Sequence, residues 1–172
     1  MFEVNQFLLL IFPALLLAAA GSDIRALTIP NWIPIALCAS FPLVALTVGA
    51  PAAYIGVSFL VGAGALLLGF CLFALRILGG GDAKLIAASA AWIGIDALVP
   101  FLLFLGLAGG VLSLAVVALR YAPLTPGVAS SPWLSRLRER GAGVPYGAAI
   151  AAAGGAALPL SGLFAYAAGG AG

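Results

Sequence analysis

Asp23 and Asp82 are the two residues whose type and setting point to chemistry. Asp23 follows the first long apolar run. Asp82 opens a later one, directly after Gly79-Gly80-Gly81. Two carboxylates held close together cannot both ionise easily, so they share one proton. One then acts as base toward a water and the other as acid toward a substrate carbonyl. Activity resting on such a pair varies with pH. The reaction needs no metal, cysteine, serine or histidine, and no cofactor is expected. Histidine is absent from the sequence, which excludes a Ser-His-Asp triad and a His-ligated metal site.

Each aspartate also has a purely structural reading. Asp82 suits the N-cap of a helix beginning at Ala83, and Asp23 can pair with Arg25 at a membrane interface. Against these stands the cost of acidic groups near a bilayer core, which usually face a bundle interior and act there. Three further acids complete the total of five. Glu3 has no partner in its neighbourhood, Asp96 reads as interfacial, and Glu139 reads as an ion pair among loop arginines. The three glycines before Asp82 permit unusual torsions and leave backbone clear for an extended peptide. They do not fit the G-x-x-x-x-G-K-[ST] phosphate loop. Cys38 and Cys71 form no C-x-x-C pair and read as small buried apolar side chains.

The elements that must hold these residues are membrane helices. Of 172 residues, 65% are hydrophobic and 7% charged, with a mean hydropathy of +1.26. That leaves too little polar surface for a soluble enzyme, a disordered chain or a nucleic-acid binder. The pattern predicts an all-α, polytopic membrane bundle of about six helices in a single domain over residues 1–172. The expected spans are 5–22, 32–48, 53–75, 83–99, 101–119 and 146–168. Abundant small residues, Gly62 and Gly109 among them, predict close helix packing. All seven Lys and Arg fall in or beside the first, third and fifth connections. The positive-inside bias then puts those connections in the cytoplasm and both termini outside. The fifth connection, about 121–144, is the longest. Its Pro132–Arg140 segment is expected either to lie on the membrane with Trp133, Leu134 and Leu137 toward lipid, or to be a solvated loop.

Three motifs together resemble the type IV prepilin peptidases. Gly79-x-Gly81-Asp82-x-Lys84-Leu85 is similar to their G-x-G-D signature, which presenilin-like proteases share. Asp23 with Ile29-Pro30-Asn31 resembles their first aspartate motif, and Val144-Pro145-Tyr146-Gly147 their late Pro-Tyr-Gly segment. The resemblance implies a metal-independent aspartic endopeptidase of the inner membrane with Asp23 and Asp82 as its catalytic pair. Gly79, Gly81, Lys84, Asn31 and Tyr146 would support the site or the substrate. The implied partners are membrane lipid and a prepilin or pseudopilin with a basic leader and an apolar helix, cut after a glycine. Nucleic acid is not a partner, and a homo-oligomer is compatible with the reading. The long members' cytoplasmic insertion with paired Cys motifs is missing, so the chain looks like the short form that serves tight-adherence (Flp-type) pili, and N-methylation of the product is not expected. The rival readings are a small proton-coupled transporter, which would place acids at the membrane midplane, and a non-catalytic assembly subunit.

Overall fold

Long apolar runs in this sequence can satisfy their backbone in lipid only as helices. The computed structural model describes residues 7–123, 132–139 and 143–169, and these contain helices and connections but no strand. In chain order the helices are α1 (Ile11–Ala26), α2 (Trp32–Thr47), α3 (Ala52–Ala74), α4 (Gly80–Ile93), α5 (Leu98–Tyr121), α6 (Pro132–Arg138), α7 (Tyr146–Ala157), a 3-10 turn (Leu158–Leu160) and α8 (Gly162–Ala167). Glu3, Arg140 and both chain ends lie outside the described residues, as do the side chains of Trp133 and Arg136.

Among the described residues, three helices are long and apolar enough to cross a membrane: Phe7–Ala26, Ala52–Ala74 and Leu98–Tyr121. The helix Trp32–Thr47 and the stretch Tyr146–Leu160 are apolar but shorter. The chain is a multi-pass membrane protein, but its helices are less uniform than six regular spans. The fourth expected span was to reach Val99, whereas α4 stops at Ile93 because Gly94 turns the chain with φ +71°. Pro100 falls inside the first turn of α5 rather than before it, where its missing N–H removes no helical hydrogen bond. The sixth span is interrupted at Leu158–Leu160. Pro159 cannot donate to the preceding turn. Ser161 restarts the chain, its hydroxyl donating to the Leu158 carbonyl at 2.7 Å and accepting from the Phe164 amide at 3.2 Å.

Helix α4 lies at the centre. It packs most closely on α3 and also meets α2, α5 and α7, while α7 joins α1 to α5. The α3–α4 seam depends on small residues. A Cβ on Gly62 would lie 2.9 Å from that of Ala91, and one on Gly69 would lie 3.0 Å from that of Ala83. Close backbone approach of this kind replaces the hydrophobic drive that lipid does not supply. At the far end of α4, Trp92 is fully buried. Its ring stacks on Phe12 of α1 at 5.1 Å between centroids, and its indole N–H donates to the Leu37 carbonyl of α2 at 2.8 Å. One side chain thus joins three helices.

Two expectations about surroundings are corrected. Cys38 and Cys71 are exposed rather than buried; the apolar surroundings of each are an outward helix face, not a core. Leu134 and Leu137 are buried against the protein, so they do not face lipid. Helix α6 packs on α5. It is tied there by Arg120 Nε donating to the Leu137 carbonyl at 2.9 Å and by the Arg138 guanidinium donating to the Ala122 carbonyl at 3.0 Å. Glu139 beyond it is exposed.

Candidate active site

Asp23 lies within the last turn of α1, not after the helix. It is 5% exposed, and its Oδ2 accepts the Gly147 amide at 2.7 Å. Gly147 is the second residue of α7, so this amide is among those that a helix start leaves without an internal partner. A carboxylate there also lies against the positive end of the helix dipole. Arg25 is exposed, and the hydrogen bond that fixes Asp23 comes from α7 instead. Space explains the glycine. A Cβ on Gly147 would lie 2.9 Å from Asp23 Cβ and 3.0 Å from its Oδ2.

Asp82 enters on α4. The N-cap is Gly79, in extended conformation, and Asp82 lies in the first turn. Its carboxylate reaches back to a backbone hydrogen bond at Gly79, the reciprocal half of a capping box. The expected role of Asp82 as N-cap is therefore corrected by three residues, since Gly80 and Gly81 are already helical. The triple glycine is also explained by room rather than by torsion, because none of its members has a positive φ. A Cβ on Gly79 would lie 2.6 Å from Asp82 Oδ2, one on Gly80 3.3 Å from the Phe73 ring, and one on Gly81 3.3 Å from Ile29 Cβ.

Both carboxylates line the same two spaces. The larger, of about 700 Å³, is also walled by Leu27, Phe73, Arg76 and Tyr146. The smaller, of about 260 Å³, is walled by Thr28, Ile29, Asn31 and the three glycines. The pair thus stands where a roomy cleft meets a narrow one, a shape that suits an extended chain passing between two acids. Leu27 and Arg76 hold left-handed backbones, with φ +52° and +60°. Strain of this sort in non-glycine residues collects at working sites. Leu27 ends α1 by donating its amide to the Asp23 carbonyl at 2.8 Å, which fixes the turn from which Asp23 projects.

The remaining candidates divide. Tyr146 reaches the larger space, with its hydroxyl hydrogen-bonded to Ser113 Oγ of α5 at 2.8 Å. Asn31 reaches the smaller one. Lys84 lines neither; its Nζ donates to Asn31 Oδ1 at 2.9 Å, so it reaches the smaller space only through Asn31. Asp96 lies beyond the opposite end of α4, near Tyr54 and Gly162. The sequence reading missed the Gly147 amide, Leu27 and Arg76. Gly147 was visible only as part of a motif, and no local signal marks the two left-handed residues.

No curated protein and no solved structure gives a match to this chain. The model of the type IV leader peptidase family matches residues 10–114, a stretch that carries Asp23, Asp82, the triple glycine, Asn31 and Lys84. With most of its length in that match and both cleft-lining acids within it, the chain belongs to the type IV leader peptidase family.

Proposed function

We propose that the chain is a prepilin leader peptidase, a membrane aspartic endopeptidase that hydrolyses the junction between leader and mature prepilin at the cytoplasmic membrane face. The observation that carries this reading is the convergence of Asp23 and Asp82 on one cleft. A water between the two carboxyl groups adds to the scissile carbonyl carbon and gives its proton to the ionised member. The protonated member donates to the carbonyl oxygen. Collapse of the tetrahedral intermediate breaks the C–N bond, and the leaving amine takes a proton from the pair. Gly147 and Gly79 supply the fixed backbone contacts that hold the acids. The glycine wall of the smaller space leaves backbone beside the scissile peptide.

The reading extends to the inner membrane, with both termini outside and a single peptidase domain whose long cytoplasmic connection spans about 121–144. It also extends to the short form that serves tight-adherence pili. A proton-coupled transporter is the less favoured alternative, because both acids sit at helix ends rather than mid-helix.

The test uses purified protein in proteoliposomes with a candidate prepilin, read by product mass. Asp23→Asn and Asp82→Asn each abolish cleavage while inserting and folding normally. Full cleavage by both variants refutes the assignment.

A further inference from the structure

Two apolar grooves of similar size run along α4, one on each side of α3. The groove between α2 and α3 holds about 670 Å³, and the groove between α3 and α5 about 630 Å³. Resting on the prepilin peptidase reading, we infer that the α3–α5 groove receives the apolar helix of the substrate, with the scissile end toward the aspartates.

Continuity separates the two grooves. Leu78 and Tyr146 line both the α3–α5 groove and the 700 Å³ cleft that holds Asp23 and Asp82. The α2–α3 groove shares no lining residue with that cleft and meets only the narrower 260 Å³ space, through Asn31 alone. At that junction Lys84 Nζ donates to Asn31 Oδ1 at 2.9 Å, so the contact with the narrow space is a single hydrogen-bonded side chain. The α3–α5 groove reaches from Leu78, before α4, to Ile95, after it. The 14 residues of α4 between them give a floor about 21 Å long, enough for most of a membrane-crossing helix.

The walls supply a second argument. Gly106 and Gly110 of α5 form a G-x-x-x-G pair, and with Gly64 of α3 they line the groove. A Cβ on any of the three would meet nothing within 4 Å. The chain's own packing therefore gives no reason for these glycines, in contrast to Gly62, Gly69 and Gly109, each of which lies against a neighbour. A G-x-x-x-G face lets a second helix backbone approach closely, and among the described residues no helix takes that place. Polarity fits as well: the groove is apolar along its length and adjoins a cleft lined by two carboxylates. This complements a helix preceded by a basic segment.

Gly106→Leu and Gly110→Leu put bulk into the groove from positions where an added Cβ meets no described neighbour. Each lowers the cleavage rate of full-length prepilin in proteoliposomes about tenfold or more, with the melting temperature unchanged. Gly56→Leu, on α3 outside both grooves and equally open, stays near the wild-type rate. In the Asp82→Asn background, a photo-crosslinking residue at Leu102 captures the prepilin helix, and one at Ala63 in the other groove does not. Wild-type rates in both α5 variants overturn the inference, as does capture from Ala63 alone. Capture of only lipid or a second copy from Leu102 overturns it too. Those results leave the peptidase reading standing, whereas intact prepilin after incubation with the wild-type protein refutes that reading itself.

Discussion

Gly147 has no side chain because Asp23 fills the space a side chain would take, and the contact also fixes where the acid points. Adding one methyl group forces Asp23 off the α7 amide, since the new Cβ would lie 2.9 Å from Asp23 Cβ. Gly147→Ala is expected to lower kcat by about tenfold or more, the scale on which small misplacements of reacting groups act. The melting temperature should fall far less than activity, and kinetic and thermal measurements on one preparation separate the two. Both acids were legible in the sequence, because a carboxylate in so apolar a chain stands out. Their anchors were less so. A backbone amide has no letter of its own, and the Gly147–Asp23 bond links positions 124 residues apart. Of the two reasons the sequence offered for the triple glycine, unusual torsions fail, since its members have no positive φ, while the absence of side chains beside the carboxylate holds at Gly79, where a Cβ would lie 2.6 Å from Asp82 Oδ2.

At the level of elements, the apolar runs marked α1, α2, α3 and α5 closely and misjudged the end of α4. Gly94 lies in an apolar run that the span reading carried through to Val99, yet it is the residue that stops the helix. Its φ of +71° and a would-be Cβ 2.9 Å from the Tyr54 hydroxyl both oppose a side chain. Gly94→Ala should therefore cost about 1–3 kcal/mol, read as a lower denaturation midpoint in a detergent titration. An unchanged midpoint would mean that the turn adapts freely. Pro159 was visible in the sequence as a signal for the break in the last helix, but the hydropathy there stays high and masks it. Hydropathy reports what surrounds a segment and is blind to its backbone. The same blindness explains Leu134 and Leu137, whose burial depends on contacts with α5 that no local pattern encodes.

For the molecule as a whole, the orientation proposed from the distribution of cations can be checked directly. In a background without Cys38 and Cys71, a cysteine at exposed Ile95 should react with a membrane-impermeant maleimide added to intact cells. A cysteine at exposed Arg25 should react only after the membrane is opened. The reverse pattern would invert the topology and put the two acids on the wrong side for a cytoplasmic leader. The burial of Trp92 among α1, α2 and α4 has a practical outcome of its own. Of the three tryptophans, Trp32 is 57% exposed while Trp92 is fully enclosed. With phenylalanine at positions 32 and 133, the protein's fluorescence comes from one indole wedged where three helices meet, and a shift of that emission to longer wavelength signals their separation without any added dye.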